Sequence, residues 1–273
     1  MRSQFIFISA LLALFASAVA PRASAQVTSP TATAAGGASP AIVDDADQPA
    51  PTADEIVARY VAATGGPEAR AKFTTRAIKG LYQTEDESAF AAIEEFSATP
   101  NKRYTKISFT NGVTIREVCD GKTAWLEDPV GGVHPFTGVG LKSHLRAASF
   151  NNGAGLLKLD MPGQLMGTAQ IGNHSTYKVQ FSPEKHYNLV VYFDTTSGLV
   201  VRADDVYQGG EDGDYVVQTY MDDYRPIDGL VVPFKFHHVE KGNVFTIRVR
   251  EIRNNAPLDD SIFAKPETAM NTQ

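Results

Sequence analysis

Between Thr176 and Ile252 apolar and polar residues alternate through six segments, and this pattern limits the possible folds more than any other feature of the chain. The segments are Thr176 to Phe181, Asn188 to Asp194, Leu199 to Val206, Tyr215 to Tyr224, Leu230 to Val239 and Val244 to Ile252. A period of two puts alternate side chains on opposite faces of a strand. Thr196-Ser197-Gly198, Gly209-Gly210, Asp228-Gly229 and Gly242-Asn243 lie between segments and supply turn residues. Short strands joined in order by such turns form an antiparallel meander. In the last segment Phe245, Ile247 and Val249 face one way, and Thr246, Arg248 and Arg250 the other. One face is therefore expected to be apolar and the other wet.

An apolar sheet face has to be covered, by helices or by closure of the sheet on itself. Thr52-Ala53-Asp54-Glu55 starts a helix in which the Thr52 hydroxyl accepts from free amides and the acids suit the positive end of the dipole. Ile56, Tyr60 and Ala63 follow at helical spacing, and Gly65-Gly66 ends the helix. Arg103 to Phe109 then alternates, with Thr105, Ile107 and Phe109 on one side, while Val113 to Val118 and Thr123 to Leu126 flank the hairpin signal Asp120-Gly121-Lys122. Between the two β halves, Leu141, Leu145, Ala148 and Phe150 share a helical face. Leu156-Leu157 and Leu159 to Met166 continue among Gly153, Gly155, Gly163 and Gly167, so the segment reads as a helical lid, or as a loop that plugs the core.

Arg2, an apolar run from Phe5 to Val19 and the small residues Ala23-Ser24-Ala25 have the order of a secretory signal peptide, residues 1–25, cut after Ala25. The run is shorter than the about 20 residues that a spanning helix needs, and no cysteine follows the cut to carry a lipid. The expected product is a periplasmic or secreted protein that is not integral to the membrane. Residues 26–51, rich in Ala, Pro, Thr, Ser and Gly and without an aromatic, read as a disordered linker, followed by one β domain at 52–267 and a tail at 268–273. Loss of Arg2 and Arg22 with the leader takes the net charge from −6 to −8, which argues against a nucleic-acid partner. The single cysteine, Cys119, ends an apolar stretch and is expected to be buried.

Several segments together resemble the LolA/LolB-like family of periplasmic outer-membrane lipoprotein-sorting proteins. They are Ala53-Asp54-Glu55-Ile56-Val57-Ala58-Arg59-Tyr60 with Gly65-Gly66, Asp120-Gly121-Lys122 before Ala124-Trp125, and Tyr192-Phe193-Asp194 leading through Gly198 into Leu199-Val200-Val201. Tyr224 to Phe234 and Pro257-Leu258-Asp259-Asp260-Ser261-Ile262-Phe263 extend the resemblance over nearly the whole domain. It implies a mainly β (α+β) fold, a curved antiparallel sheet forming an unclosed barrel around an apolar cavity, with an N-terminal helix and a helical lid. It also implies carriage of acyl chains without cofactor or chemistry. The family's arginine before a Pro-Asn pair helps to hold the lid shut, whereas here Thr99 precedes Pro100-Asn101. A threonine cannot make the bidentate charged contacts of a guanidinium, which leaves lipoprotein hand-over open, with Arg103 as the substitute at hand.

Catalytic signatures are weak. Val190 to Gly198 is similar to the Asp-Thr-Gly run of aspartic proteases, but Thr196 stands where glycine is required. His237 and His238 point to opposite faces of a strand, and His134, His144, His174 and His186 lie in separate segments without metal-ligand spacing, so no metal is expected. His144 is expected to be partly exposed. The leading reading is a non-catalytic carrier or chaperone that binds a lipid or lipoprotein acyl chain. Its candidate lining is Trp125, Phe136, Leu145, Phe150, Leu156, Met161, Phe193, Phe234, Phe236 and Phe245, each of which would serve equally as plain core. Two alternatives stay open: an envelope-protein interaction module with a filled core, and a secreted hydrolase with a site around His144 or His238.

Overall fold

The computed structural model describes residues 50–150, 162–210 and 213–265. The expected leader, nearly all of the linker, the tail, and Leu156 and Met161 lie outside the described residues.

Two meanders build the fold. The first contains β1 (Thr75–Thr84), β2 (Phe90–Ala98), β3 (Lys102–Phe109), β4 (Thr114–Cys119), β5 (Ala124–Asp128) and β6 (Gly132–Pro135). The second contains β7 (Gln164–Ile171), β8 (His174–Glu184), β9 (Tyr187–Asp194), β10 (Val200–Gly210), β11 (Gly213–Ile227), β12 (Leu230–Glu240) and β13 (Asn243–Asn254). Antiparallel pairing of β1 with β13 fuses them into one 13-stranded sheet in the order β6-β5-β4-β3-β2-β1-β13-β12-β11-β10-β9-β8-β7. The sheet is not closed, because β6 and β7 are its two edges. The chain between those edges contains α3 (Gly138–Ala147), so the segment read as a lid joins one free edge to the other.

Side chains opposite each other across antiparallel strands share a face. One row, Leu165–Val179–Val191–Ala203–Thr219–His238–Phe245–Thr84, runs across eight strands on the inner face. Tyr82, Ile247, Phe236 and Met221 form the row beside it. These aromatic and aliphatic residues form the main core together with Ala53, Ile56 and Tyr60 of α1 (Ala53–Ala63). A capping box starts α1: the Thr52 hydroxyl accepts from the Glu55 amide at 3.2 Å, and the Glu55 carboxylate accepts from the Thr52 amide at 2.8 Å. The Tyr60 ring meets that of Phe193 edge to face at 5.8 Å. Gly65 then turns the chain at φ +99°, where a Cβ would lie 2.2 Å from the Gly229 carbonyl oxygen. Only glycine lets the helix end approach the β11–β12 turn so closely. The short α2 (Gly66–Arg70) follows.

Two expectations about the covering segment and its surroundings need correction. Residues 164–167, read as the end of a glycine-set lid, belong to the edge strand β7. Gly167, at φ +107°, sits at a break in register between Leu165 and Thr168, which interrupts the alternation that would have signalled a strand. The inner face is also not uniformly apolar. In the first meander it carries Arg76, Glu95, Arg103 and Glu117, all buried.

Candidate functional site beneath helix α3

Two inner rows form the floor under α3. One is Arg76–Ser97–Arg103–Cys119–Ala124, and the next is Ile78–Glu95–Thr105–Glu117–Leu126. Leu141, Leu145 and Phe136 pack with Ala148 on Cys119 and Ala124, giving α3 an apolar seat at the outer end of the first row. The charged part lies deeper. The Arg103 guanidinium stands 3.5 Å from Glu95 and donates to the Thr105 hydroxyl at 3.3 Å. Above it His144 is only 8% exposed, which corrects the expectation of a partly exposed side chain. Its ring stacks on Phe136 at 3.6 Å, and its Nε2 faces the Glu117 carboxyl at 3.9 Å.

Burial dominates the electrostatics. Loss of hydration pushes the carboxyls of Glu95 and Glu117 up to about 7, against the pull of Arg103, and of Arg76 in the case of Glu95. Burial likewise lowers His144 to about 4, opposed by its hydrogen bond to the Gly140 carbonyl, and Arg76 to about 9. Burial raises the Cys119 thiol, so this cysteine is a packed side chain and not a poised nucleophile. Among the described residues, no three His, Cys, Asp or Glu side chains converge as a metal site requires.

α3 is fastened on its other side to the second meander. The Arg146 guanidinium lies over the Tyr187 ring at 4.7 Å, and Ser143 is hydrogen bonded to Tyr207. The Tyr187 hydroxyl donates to Asp205, whose carboxyl burial raises. Beyond the helix, the Phe150 amide donates to the Pro100 carbonyl at 3.0 Å, and the Arg76 guanidinium covers the Phe150 ring at 4.4 Å. Polar contacts therefore tie one short helix to both halves of an open sheet. Apart from Arg103, named as a substitute for the family arginine, this clasp escaped sequence reasoning, although Arg103 shares the parity of Thr105, Ile107 and Phe109, and Glu117 that of Ile115.

The residues expected to line a cavity divide into groups. Phe150, Phe193, Phe234, Phe236 and Phe245 belong to the main inner cluster. Phe136 and Leu145 pack under α3. Trp125 is on the other face: it continues the outer row Ala77–Phe96–Tyr104–Val118–Trp125. Leu126, one residue on, takes the inner position. The other histidine of the hydrolase alternative, His238, is fully buried in the inner row, stacked on Phe245 at 4.5 Å. Asp194, the decoy aspartate, is spent on its turn, accepting from the amides of Thr196 and Ser197 at 3.1 and 2.6 Å.

The fold has counterparts among solved structures. A LolA superfamily protein from Nitrosomonas europaea matches with a TM-score of 0.51 and 15% identity, over 79% of this chain and 99% of that one. The chain has a LolA-like fold. A putative outer membrane lipoprotein-sorting protein domain from Vibrio parahaemolyticus superposes with a TM-score of 0.50 and 11% identity, over 77% and 95% of the two chains. A DUF1329 family protein from Desulfovibrio piger gives 0.51 and 16%, over 78% and 97%. No family model and no curated protein matches the sequence. In this LolA-like fold the position before Pro100-Asn101 is Thr99, whose amide donates to the Thr74 carbonyl at 2.8 Å. The buried guanidinium nearest α3 on β3 is that of Arg103. No helix among the described residues is long and apolar enough to cross a membrane.

Proposed function

We propose that this chain is an exported, non-catalytic carrier that holds a lipid or lipoprotein acyl chain against the inner face of its LolA-like sheet, with α3 as the lid. The observation that carries this reading is the seating of α3. The helix joins the two free edges, its apolar seat is small, and its deeper contacts are polar or ionic. Such a cover can leave and return at far less cost than a helix buried on all sides. On the inner face, Phe150, Phe193, Phe234, Phe236 and Phe245 of the main cluster offer the apolar surface, and each methylene transferred there contributes about 0.8 kcal/mol. An acyl chain needs no charged partner to be held by such a term. Arg103 serves in the clasp as the guanidinium that Thr99 cannot supply. The mature protein begins after Ala25 and acts in the periplasm or outside the cell, with an envelope protein as the source or acceptor of its cargo.

Full burial of Phe193 and Phe236 favours a second reading, in which the interior is filled and the domain recognises another envelope protein through its surface. Native mass spectrometry of gently purified protein separates the two. The carrier reading expects a lipid mass on the wild type that is lost when Leu145→Asp destroys the seat of α3. A clean unliganded mass, with a fluorescent fatty acid failing to bind the wild type, would overturn it in favour of the interaction module.

A further inference from the structure

We propose that α3 is a proton-dependent latch, closed while Glu95 and Glu117 carry protons and loosened from the sheet when these carboxyls ionise. The tautomer of His144 gives the first argument. Its Nδ1 lies 2.8 Å from the Gly140 carbonyl, which can only accept, so Nδ1 carries a hydrogen. In a neutral ring Nε2 is then an acceptor, and it faces a Glu117 carboxylate oxygen at 3.9 Å. At 3.9 Å the two do not share a hydrogen bond, and in a buried site the lone pair of Nε2 repels an ionised carboxyl more than a protonated one. That same Glu117 oxygen is buried without a hydrogen-bond partner, which is tolerable for a carboxylic acid and costly for a carboxylate; the Glu95 oxygen that faces Arg103 at 3.5 Å is also buried without a hydrogen bond, so only that ion pair offsets its loss of water.

The surrounding charges do not reverse this preference. β1 contributes Arg76, which Arg70 of α2 also feels; β2 contributes Glu95, β3 Arg103, and β4 Glu117 with the Cys119 thiol. α3 contributes His144 and Arg146, with Lys142 exposed, and the second meander presents Tyr187, Tyr207, Asp205, His238 and Glu240 on the far flank. With the arginines included, both glutamates still titrate near 7, whereas a solvated glutamate titrates near 4.3. Opening the latch therefore releases up to two protons, and it is favoured as pH rises from about 5 to about 8. His144 opposes this below about 6.5, where the exposed ring would take up one proton, but one group stands against two.

The single cysteine makes the latch measurable in the native chain. Cys119 lies directly under Leu141, Leu145 and Ala148, so its thiol reacts only when α3 lifts. The experiment is alkylation of full-length mature protein without lipid, each rate divided by that of the urea-unfolded chain at the same pH to remove thiolate chemistry. The corrected accessibility of the wild type should rise roughly 10- to 100-fold between pH 5 and pH 8, whereas in the Glu95→Gln, Glu117→Gln variant it should not rise and should fall between pH 5 and about 6.5, where His144 alone titrates. A flat wild-type profile, or an equal rise in the variant, overturns the latch. Should the double variant not fold, Glu117→Gln alone and hydrogen exchange of amides 141–148, corrected for intrinsic rate, supply the same comparison. Because no lipid is present, failure here leaves the carrier reading standing, and the reverse also holds.

Discussion

Replacing Arg103 with methionine removes the cation between two buried acids while keeping most of the stem's volume. Arg103 is 5% exposed, with Glu95 at 3.5 Å, and it lowers the carboxyls of both Glu95 and Glu117. Its loss drives these groups above their present value of about 7, and the cost depends on whether they are ionised. The direction follows from linkage: a carboxyl raised on folding contributes stability that is complete below its unfolded value, near 4.3, and lost as pH rises through its folded value. At pH 8 the variant strands acids that would otherwise be paired, and breaking a buried pair costs about 3–5 kcal/mol. At pH 5 the acids are already protonated, and the loss falls to about 1–2 kcal/mol, the scale of one hydrogen bond and some packing. Urea unfolding at both pH values gives the two numbers. A companion Arg103→Met, Glu95→Gln variant should recover part of the pH 8 loss. A cost below about 1 kcal/mol at pH 8, or one equal at both pH values, would refute the buried-cluster reasoning.

Phe236→Ala should lower stability by about 3–5 kcal/mol in urea unfolding, because the side chain is fully buried in the inner cluster. A loss under about 1 kcal/mol would mean that the inner face around it is loosely filled. Gly65→Ala forces a side chain into φ +99° and against the Gly229 carbonyl oxygen, so it should cost at least about 2 kcal/mol in a thermal or urea melt. Tyr187→Phe takes the hydroxyl donor from half-buried Asp205 and should cost about 1–3 kcal/mol by the same measurement, with circular dichroism unchanged.

In the second meander β8 to β13 were legible because short β-rich segments, most of them alternating, end at turns, whereas the register break in β7 hid that strand. The first was legible only in part, and its residues explain why. β2 reads Phe90-Ala-Ala-Ile-Glu-Glu-Phe-Ser-Ala98, in which alanine and glutamate favour a helix and the buried Glu95 breaks the apolar side. β1 carries Arg76 and Gly80 on its inner side; a Cβ on Gly80 would lie 2.9 Å from the Arg248 carbonyl oxygen, at the bulge against β13. Both local signals yield to pairing with long neighbouring strands. In the site, the aromatic residues of β9, β12 and β13 follow from alternation, whereas Trp125 was assigned to the interior on chemical character and the register turns it outward. The charged clasp stayed hidden because isolated Arg and Glu residues in a strand look solvated until the partner that covers them, here α3, is seen in place.

The central claim is that the inner face under α3 accepts an acyl chain, and a photo-crosslinkable fatty acid tests it by recording what the chain touches. After irradiation and peptide mapping, adducts should fall on inner residues such as Phe150, Phe193 and Phe236, and a saturated fatty acid should displace them. Labelling confined to the outer row of Phe96, Tyr104 and Trp125, or no labelling above an unrelated control protein, would contradict the account.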